Sequence, residues 1–130
     1  MATREKLISA QELLAEQLRD PAFRAAWERT ALARAVALAV VSYRAKHHLT
    51  QAQLAQQLGV RQPHITRLEL GEHNPSLEML QRLARVLGLR FIVEVASASA
   101  PQSPLTLPPG VEVLEDMTMA DGSRVLVATG

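Results

Sequence analysis

The chain has 130 residues, 48% of them apolar, a formal net charge of +1 and no cysteine. The missing cysteines exclude disulfides, Cys-ligated zinc and thiol catalysis, and accord with a reducing cytoplasm. No run of about 18 apolar residues occurs, so no membrane span is expected. Residues 1–6 lead into an amphipathic stretch and not into the apolar core of a signal peptide.

The small net charge conceals an uneven distribution. Residues 1–30 are balanced, with five basic and five acidic side chains. Residues 31–90 carry eight basic side chains (Arg34, Arg44, Lys46, Arg61, Arg67, Arg82, Arg85, Arg90) against Glu69, Glu72 and Glu78, a local charge of +5. Residues 91–130 carry Arg124 against Glu94, Glu112, Glu115, Asp116 and Asp121, a local charge of −4. A basic middle with an acidic tail is the asymmetry of a nucleic-acid binder whose tail has another task; chance scatter would produce it too.

Residues 3–19 predict a helix, with Leu7, Gln11, Leu14 and Leu18 on one face and Ile8 widening the stripe. Asp20-Pro21 breaks it, because Asp caps a helix and Pro fits a first helical position. Residues 21–48 contain no glycine and no second proline, which predicts one long alanine-rich helix or two with a bend near Thr30. Thr50 then caps a helix over Gln51–Leu58, closed by Gly59. A short helix over Gln62–Leu70 tolerates Pro63 in its first turn and ends at Gly71. Asn74-Pro75-Ser76 is a loop, and Ser76 caps a helix through Leu87, stopped by Gly88.

Residues 90–95 alternate as a strand, with Phe91, Val93 and Val95 on one side and Arg90, Ile92 and Glu94 on the other. Residues 96–110 hold Pro101, Pro104, Pro108 and Pro109 and read as a linker. Residues 111–130 predict a hairpin, two apolar runs around the turn signal Asp121-Gly122. A lone short strand cannot satisfy its backbone. The strand at 90–95 is therefore expected to pair with this hairpin or with a two-fold mate.

The densest signal is residues 49–71, LTQAQLAQQLGVRQPHITRLELG. Leu54, Ala55 and Leu58 form the inner face of one helix, and Ile65 and Leu68 that of the next. Ala55 is small where two helices cross steeply, Gly59 makes the turn and Val60 plugs it. Helices joined in this way leave the second on the surface, where it can enter a major groove.

These residues closely resemble the Cro/C1, or XRE, family of DNA-binding domains over about residues 35–90. The shared pattern is a Leu-Thr-Gln opening, Leu-Ala, Leu-Gly-Val, Ile-x-Arg-Leu-Glu, Gly, then Asn-Pro-Ser-Leu and Leu-Gly. The resemblance implies a mainly α fold: a lambda-repressor-like helical bundle with an N-terminal helical extension (1–30), the DNA-binding domain (31–89) and a strand, Pro-rich linker and hairpin (90–130). It implies a homodimer on double-stranded operator DNA. Gln62, His64, Thr66 and Arg67 would approach base edges or phosphates, and Gln51 would contact phosphate. The chemistry suits them, since Gln pairs bidentately with adenine and Arg with guanine, and a helix N-terminus offers N–H groups to phosphate. Arg61 suits a phosphate contact or a plain surface position. Gln62, Thr66 and Arg67 also have the ordinary reading of solvated polar residues.

Two positions depart from the family pattern. Pro63 stands where many members have a polar base reader and offers only apolar contact. Glu72 stands in a loop where members often carry Lys or Arg. The family also commonly joins a basic residue at the position of Arg44 to a Glu at that of Glu69, which implies an Arg44–Glu69 ion pair.

The flanks around Asp20-Pro21 and residues 88–95 look like those of HigA-type antitoxins, which repress their own operon and neutralise a ribonuclease toxin. The resemblance therefore implies a small basic toxin as partner, with the amphipathic flank and acidic tail to cover it. A stand-alone repressor whose flanks only dimerise, and an interaction adaptor that has lost DNA binding, are the alternatives. No enzyme activity, cofactor or metal is expected. His47, His48, His64 and His73 contain no i, i+4 pair, and no Ser/His/acid order or Gly-rich phosphate loop occurs.

Overall fold

The computed structural model describes residues 9–100 and 106–130. Six helices precede three strands: α1 (Ala10–Gln17), α2 (Pro21–Arg29), α3 (Ala31–His47), α4 (Gln51–Leu58), α5 (Gln62–Leu70), α6 (Leu77–Leu87), β1 (Phe91–Ala96), β2 (Glu112–Thr118) and β3 (Arg124–Thr129). The mainly α fold with a small C-terminal sheet agrees with the sequence reading.

The N-terminal helix is shorter than expected. Ser9 is extended and caps it, accepting from the Glu12 N–H at 3.1 Å while Glu12 accepts from the Ser9 N–H at 3.2 Å. This reciprocal box starts α1 at Ala10, and the part of the expectation on residues 3–8, with Leu7 and Ile8, lies outside the described residues. No residue of α1 is buried. Thr30 resolves the open question about residues 21–48. It leaves helical geometry (φ −109°, ψ 19°), so the stretch is two helices, α2 and α3.

Helix α3 is the centre of the molecule. Ala31, Ala33, Ala35, Ala37 and Ala39 are all buried along with Val36 and Val40, so burial runs almost around the helix. A helix apolar on all sides must be covered on all sides. Here α5 lies against one side, and β2 and β3 lie against another. The alanines permit that crowding: a Cβ added at Gly71, where α5 ends, would sit 3.4 Å from the Ala37 Cβ and 3.5 Å from the Arg34 Cα. The helix-turn-helix core joins Val36 and Val40 to Leu54, Ala55, Leu58, Ile65, Leu68, Met79, Leu83 and Leu87. Leu54 is fully buried there, and its truncation to Ala would cost about 2–5 kcal/mol.

The sheet order is β1-β3-β2, antiparallel throughout. The expected strand at 90–95 is β1, one residue later, and it pairs with the hairpin strand β3 from Phe91↔Thr129 to Ala96↔Arg124. Apart from Ala96, the described residues of 96–110 hold no helix or strand, as the linker reading expects. Ala96 belongs to the strand, and β1 and β2 flank β3 while both run antiparallel to it. The connection must therefore return from one end of the sheet to the other. Leu107 and Pro108 within it are half-buried, and Pro101 and Pro104 lie outside the described residues.

Candidate nucleic-acid interface

Four caps set the helix-turn-helix. His48 ends α3 in the left-handed region (φ 54°), an uncommon conformation for a residue with a Cβ. Thr50 accepts from the Gln53 N–H at 3.1 Å and Gln53 accepts from the Thr50 N–H at 2.8 Å, which starts α4. Gly59 (φ 70°) and Gly71 (φ 65°) end α4 and α5 in the conformation only glycine adopts without strain. Ile65 is fully buried and Leu68 nearly so. The helical period then turns Pro63, Thr66, Arg67 and Leu70 outward, and all four are exposed.

Of the site residues read from the sequence, Arg61, Gln62, Thr66 and Arg67 lie on this outer surface, and Gln51 and His64 are half-buried. Arg61 is the N-cap of α5, in extended geometry and exposed, and Gln62 is the first residue of the helix and exposed. Arg67 is exposed and forms no ion pair among the described residues. His64 is half-buried and lines a hollow with Arg67, His73, Asn74 and Met79.

Gln51 and Thr66 are brought together. The Thr66 hydroxyl donates to Gln51 Oε1 at 2.9 Å and lies 3.3 Å from the Gln62 carbonyl. Gln51 Nε2 donates to Glu69 Oε1 at 3.3 Å. Glu69 in turn receives Arg44 through two bonds, Nε to Oε2 at 2.9 Å and Nη2 to Oε1 at 2.6 Å. Arg44 Nη1 also donates to the Leu49 carbonyl at 3.1 Å. The Glu69 hydrogen bond, with its charge behind it, pushes the Arg44 pKa up and keeps the guanidinium charged. One polar relay thus links α3, α4 and α5, and fixes the orientation of two residues expected to touch DNA.

Sequence reasoning missed a second fastening. The break at Thr30 strands backbone groups, and Asn74 takes up two of them. Its Oδ1 accepts from the Ala33 N–H at 3.0 Å and its Nδ2 donates to the Arg29 carbonyl at 2.7 Å. Asn74 lies three residues beyond the cap of α5, so α2 is tied to the loop that follows α5. Arg34 makes a third joint. Its Nη1 donates to the Trp27 carbonyl at 2.5 Å and to Thr30 Oγ1 at 2.9 Å, its Nη2 donates to Glu115 Oε1 at 3.2 Å, and its guanidinium lies 3.6 Å from the centre of the Trp27 ring. The Glu28 carboxylate accepts from the Ala120 N–H at 2.9 Å. The only sequence signal was the Asn-Pro-Ser loop, whose long-range partners its own residues cannot name.

Known proteins carry similar sequences over this segment. A helix-turn-helix family model matches residues 41–92. The chain is 46% identical over 49 residues to an HTH-type transcriptional regulator of Archaeoglobus fulgidus, covering 38% of this chain and 70% of that protein. Another HTH-type regulator, from Methanocaldococcus jannaschii, is 42% identical over 49 residues, 38% of this chain and 74% of that protein. Antitoxin HigA1 of Mycobacterium tuberculosis is 37% identical over 78 residues, 58% of this chain and 52% of the antitoxin. The chain thus spans about half the length of that relative. No solved structure matches the chain. With the buried helix crossing, the glycine-capped turn and this similarity together, the chain belongs to the helix-turn-helix family of Cro/C1-type transcription regulators.

Proposed function

We propose that the protein is the antitoxin of a type II toxin–antitoxin pair, a homodimer that represses its own operon and neutralises a small basic ribonuclease toxin. The observation carrying this reading is the length of the similarity to HigA1. It runs over 78 residues, past the segment 41–92 that the family model matches, and so takes in part of the flanks. Residues 31–89 are the DNA-reading part in this proposal, and 1–30 and 90–130 engage partners. Helix α1 suits that role, with no buried residue and Leu13 49% exposed. Glu112 and Asp121 of the hairpin are exposed acids with no ion pair among the described residues, as a cover for a basic protein requires.

On DNA, α5 is the recognition helix, and Gln62, His64, Thr66 and Arg67 face base edges or the neighbouring backbone. Gln51 and Arg61 approach phosphate. One such helix reads only a few base pairs, so two copies bind a pseudo-palindrome with half-sites about 34 Å apart. This work belongs in the cytoplasm, where the operon lies.

A pull-down of the native complex tests the pairing. A small basic protein at a fixed stoichiometry, whose RNA cleavage stops on mixing, is the expected result. Operator protection with no such partner favours the second reading, a stand-alone regulator, which the short similarity to the archaeal regulators supports. Loss of footprint on every sequence offered would remove both.

A further inference from the structure

The outer face of α5 is poor in hydrogen-bonding groups for a surface that is to read bases. Pro63, the second residue of the helix, is exposed, and its ring nitrogen carries no hydrogen. Thr66 lies one turn further along the same face and is exposed as well. Its hydroxyl donates to Gln51 Oε1 at 2.9 Å and stays 3.3 Å from the Gln62 carbonyl. With the oxygen held against the protein, the Cγ2 methyl is the group that Thr66 has left to offer. Leu70, one more turn along, is 59% exposed and continues the apolar stripe. Gln62 and Arg67, both exposed, are the polar side chains that flank it.

The major groove presents one apolar group, the C5 methyl of thymine, and apolar side-chain groups such as the Thr methyl are its natural contacts. Residues near the start of a recognition helix are the ones that reach base edges. Pro63 and Thr66 are three residues apart, about 4.5 Å along the helix at about 1.5 Å per residue. Successive bases on one strand are about 3.4 Å apart along the duplex. Two apolar groups at this separation match the methyls of two neighbouring pairs.

We infer that Pro63 and the Thr66 methyl read the C5 methyls of thymines in two adjacent base pairs of each half-site, so that specificity at these pairs rests on apolar contact. The inference rests on α5 being the recognition helix of the proposed function, and it names what that helix reads. The C5 methyl of 5-methylcytosine is the same group at the same place in the groove. These two positions therefore also distinguish methylated from unmethylated cytosine. Gln62 and Arg67 read the flanking pairs by hydrogen bonds.

Deoxyuridine pairs as thymidine does and lacks only the methyl, so it tests the reading on the full wild-type chain. The probe is the duplex recovered by selecting binding sites from a random pool, with its thymines exchanged singly for deoxyuridine. Exchange at two adjacent positions of a half-site is expected to weaken binding about fourfold each, the factor for one buried methyl-sized group. Pro63→Ala should abolish that loss at one of the two positions. Thr66→Ser, which keeps the hydroxyl and removes the methyl, should abolish it at the other. Changing either pair to C·G and then methylating that cytosine at C5 should recover about fourfold in the wild type. Binding indifferent to deoxyuridine at every position overturns the inference and leaves α5 as a DNA reader. A loss undiminished in both variants gives the methyls to other residues and overturns the assignment. Failure to select any sequence removes the recognition helix itself, and with it the reading on which the inference rests.

Discussion

Arg44 holds both oxygens of Glu69, at 2.9 and 2.6 Å, and the Leu49 carbonyl at 3.1 Å. The Glu69 side chain is 9% exposed and that of Arg44 23%. Glu69 sits on α5 one residue beyond the buried Leu68, so its carboxylate is turned partly inward and depends on the guanidinium fork. Arg44→Ala would strand that carboxylate. It should cost about 2–4 kcal/mol, because removing one partner leaves an uncompensated charge. Urea denaturation of Arg44→Ala checks this. A loss no larger than that of a surface pair would show that Glu69 is solvated without Arg44.

Arg67 is exposed on the outer face of α5 and has no ion-pair partner among the described residues. Arg67→Ala should cost about 1–3 kcal/mol of operator affinity and relax preference at one base pair. Selection of binding sites from a random pool reads both effects. Unchanged specificity would reassign Arg67 to the backbone or to solvent.

Gln51 and Thr66 are expected to act on DNA as a unit, because the Thr66 hydroxyl is spent on Gln51 Oε1 at 2.9 Å. Gln51→Ala should weaken all sequences about equally, as a lost phosphate contact does. Thr66→Val frees Gln51 and should produce a smaller loss of the same uniform kind. The two changes in one chain should then fall short of additive. Fluorescence anisotropy on cognate and random duplexes separates the outcomes, and full additivity would uncouple the two residues.

Asn74→Ala removes the partners of the Arg29 carbonyl and the Ala33 N–H together. The part-buried Ala33 N–H left unpaired costs about 1–3 kcal/mol, and the exposed Arg29 carbonyl little, because water replaces Asn74 there. Hydrogen exchange should show faster opening at the start of α3, with α4 unaffected. Equal protection in the variant would mean that Asn74 merely occupies the junction.

The hairpin carries a pH signature. The Arg124 hydrogen bonds, at 2.7 and 2.8 Å, hold the Asp116 carboxyl below its usual range. A depressed carboxylate contributes stability above its unfolded pKa, about 3.9, and loses it as pH falls through the lower folded value. Asp116→Asn should therefore lower the melting midpoint slightly at pH 7 and make no difference at the acid end. Both side chains are more than 40% exposed, so the effect is small and should shrink further in salt. A difference that grows on acidification would contradict this sign.

The helices from Thr50 to Gly88 were legible from local chemistry, because each is bounded by its own cap: Thr50, Gly59, Gly71, Ser76 and Gly88. The apolar spacing likewise marked Leu54, Ala55, Leu58, Ile65 and Leu68 as core, since burial of a helix face repeats with its period. The sequence also contained both ends of the Arg44–Glu69 contact, as positions shared with a family. Tertiary structure alone decided the rest. Nothing within residues 96–110 records that they carry the chain from one end of a sheet to the other, because strand order is a property of the assembled sheet. The alanines of α3 allowed several partners, and only packing shows that α5 occupies one side and β2 and β3 another. Asn74 reaches back 41 and 45 residues, and Arg34 forward 81 to Glu115. Such bonds form between side chains that folding brings together, and no local pattern encodes the distance between them.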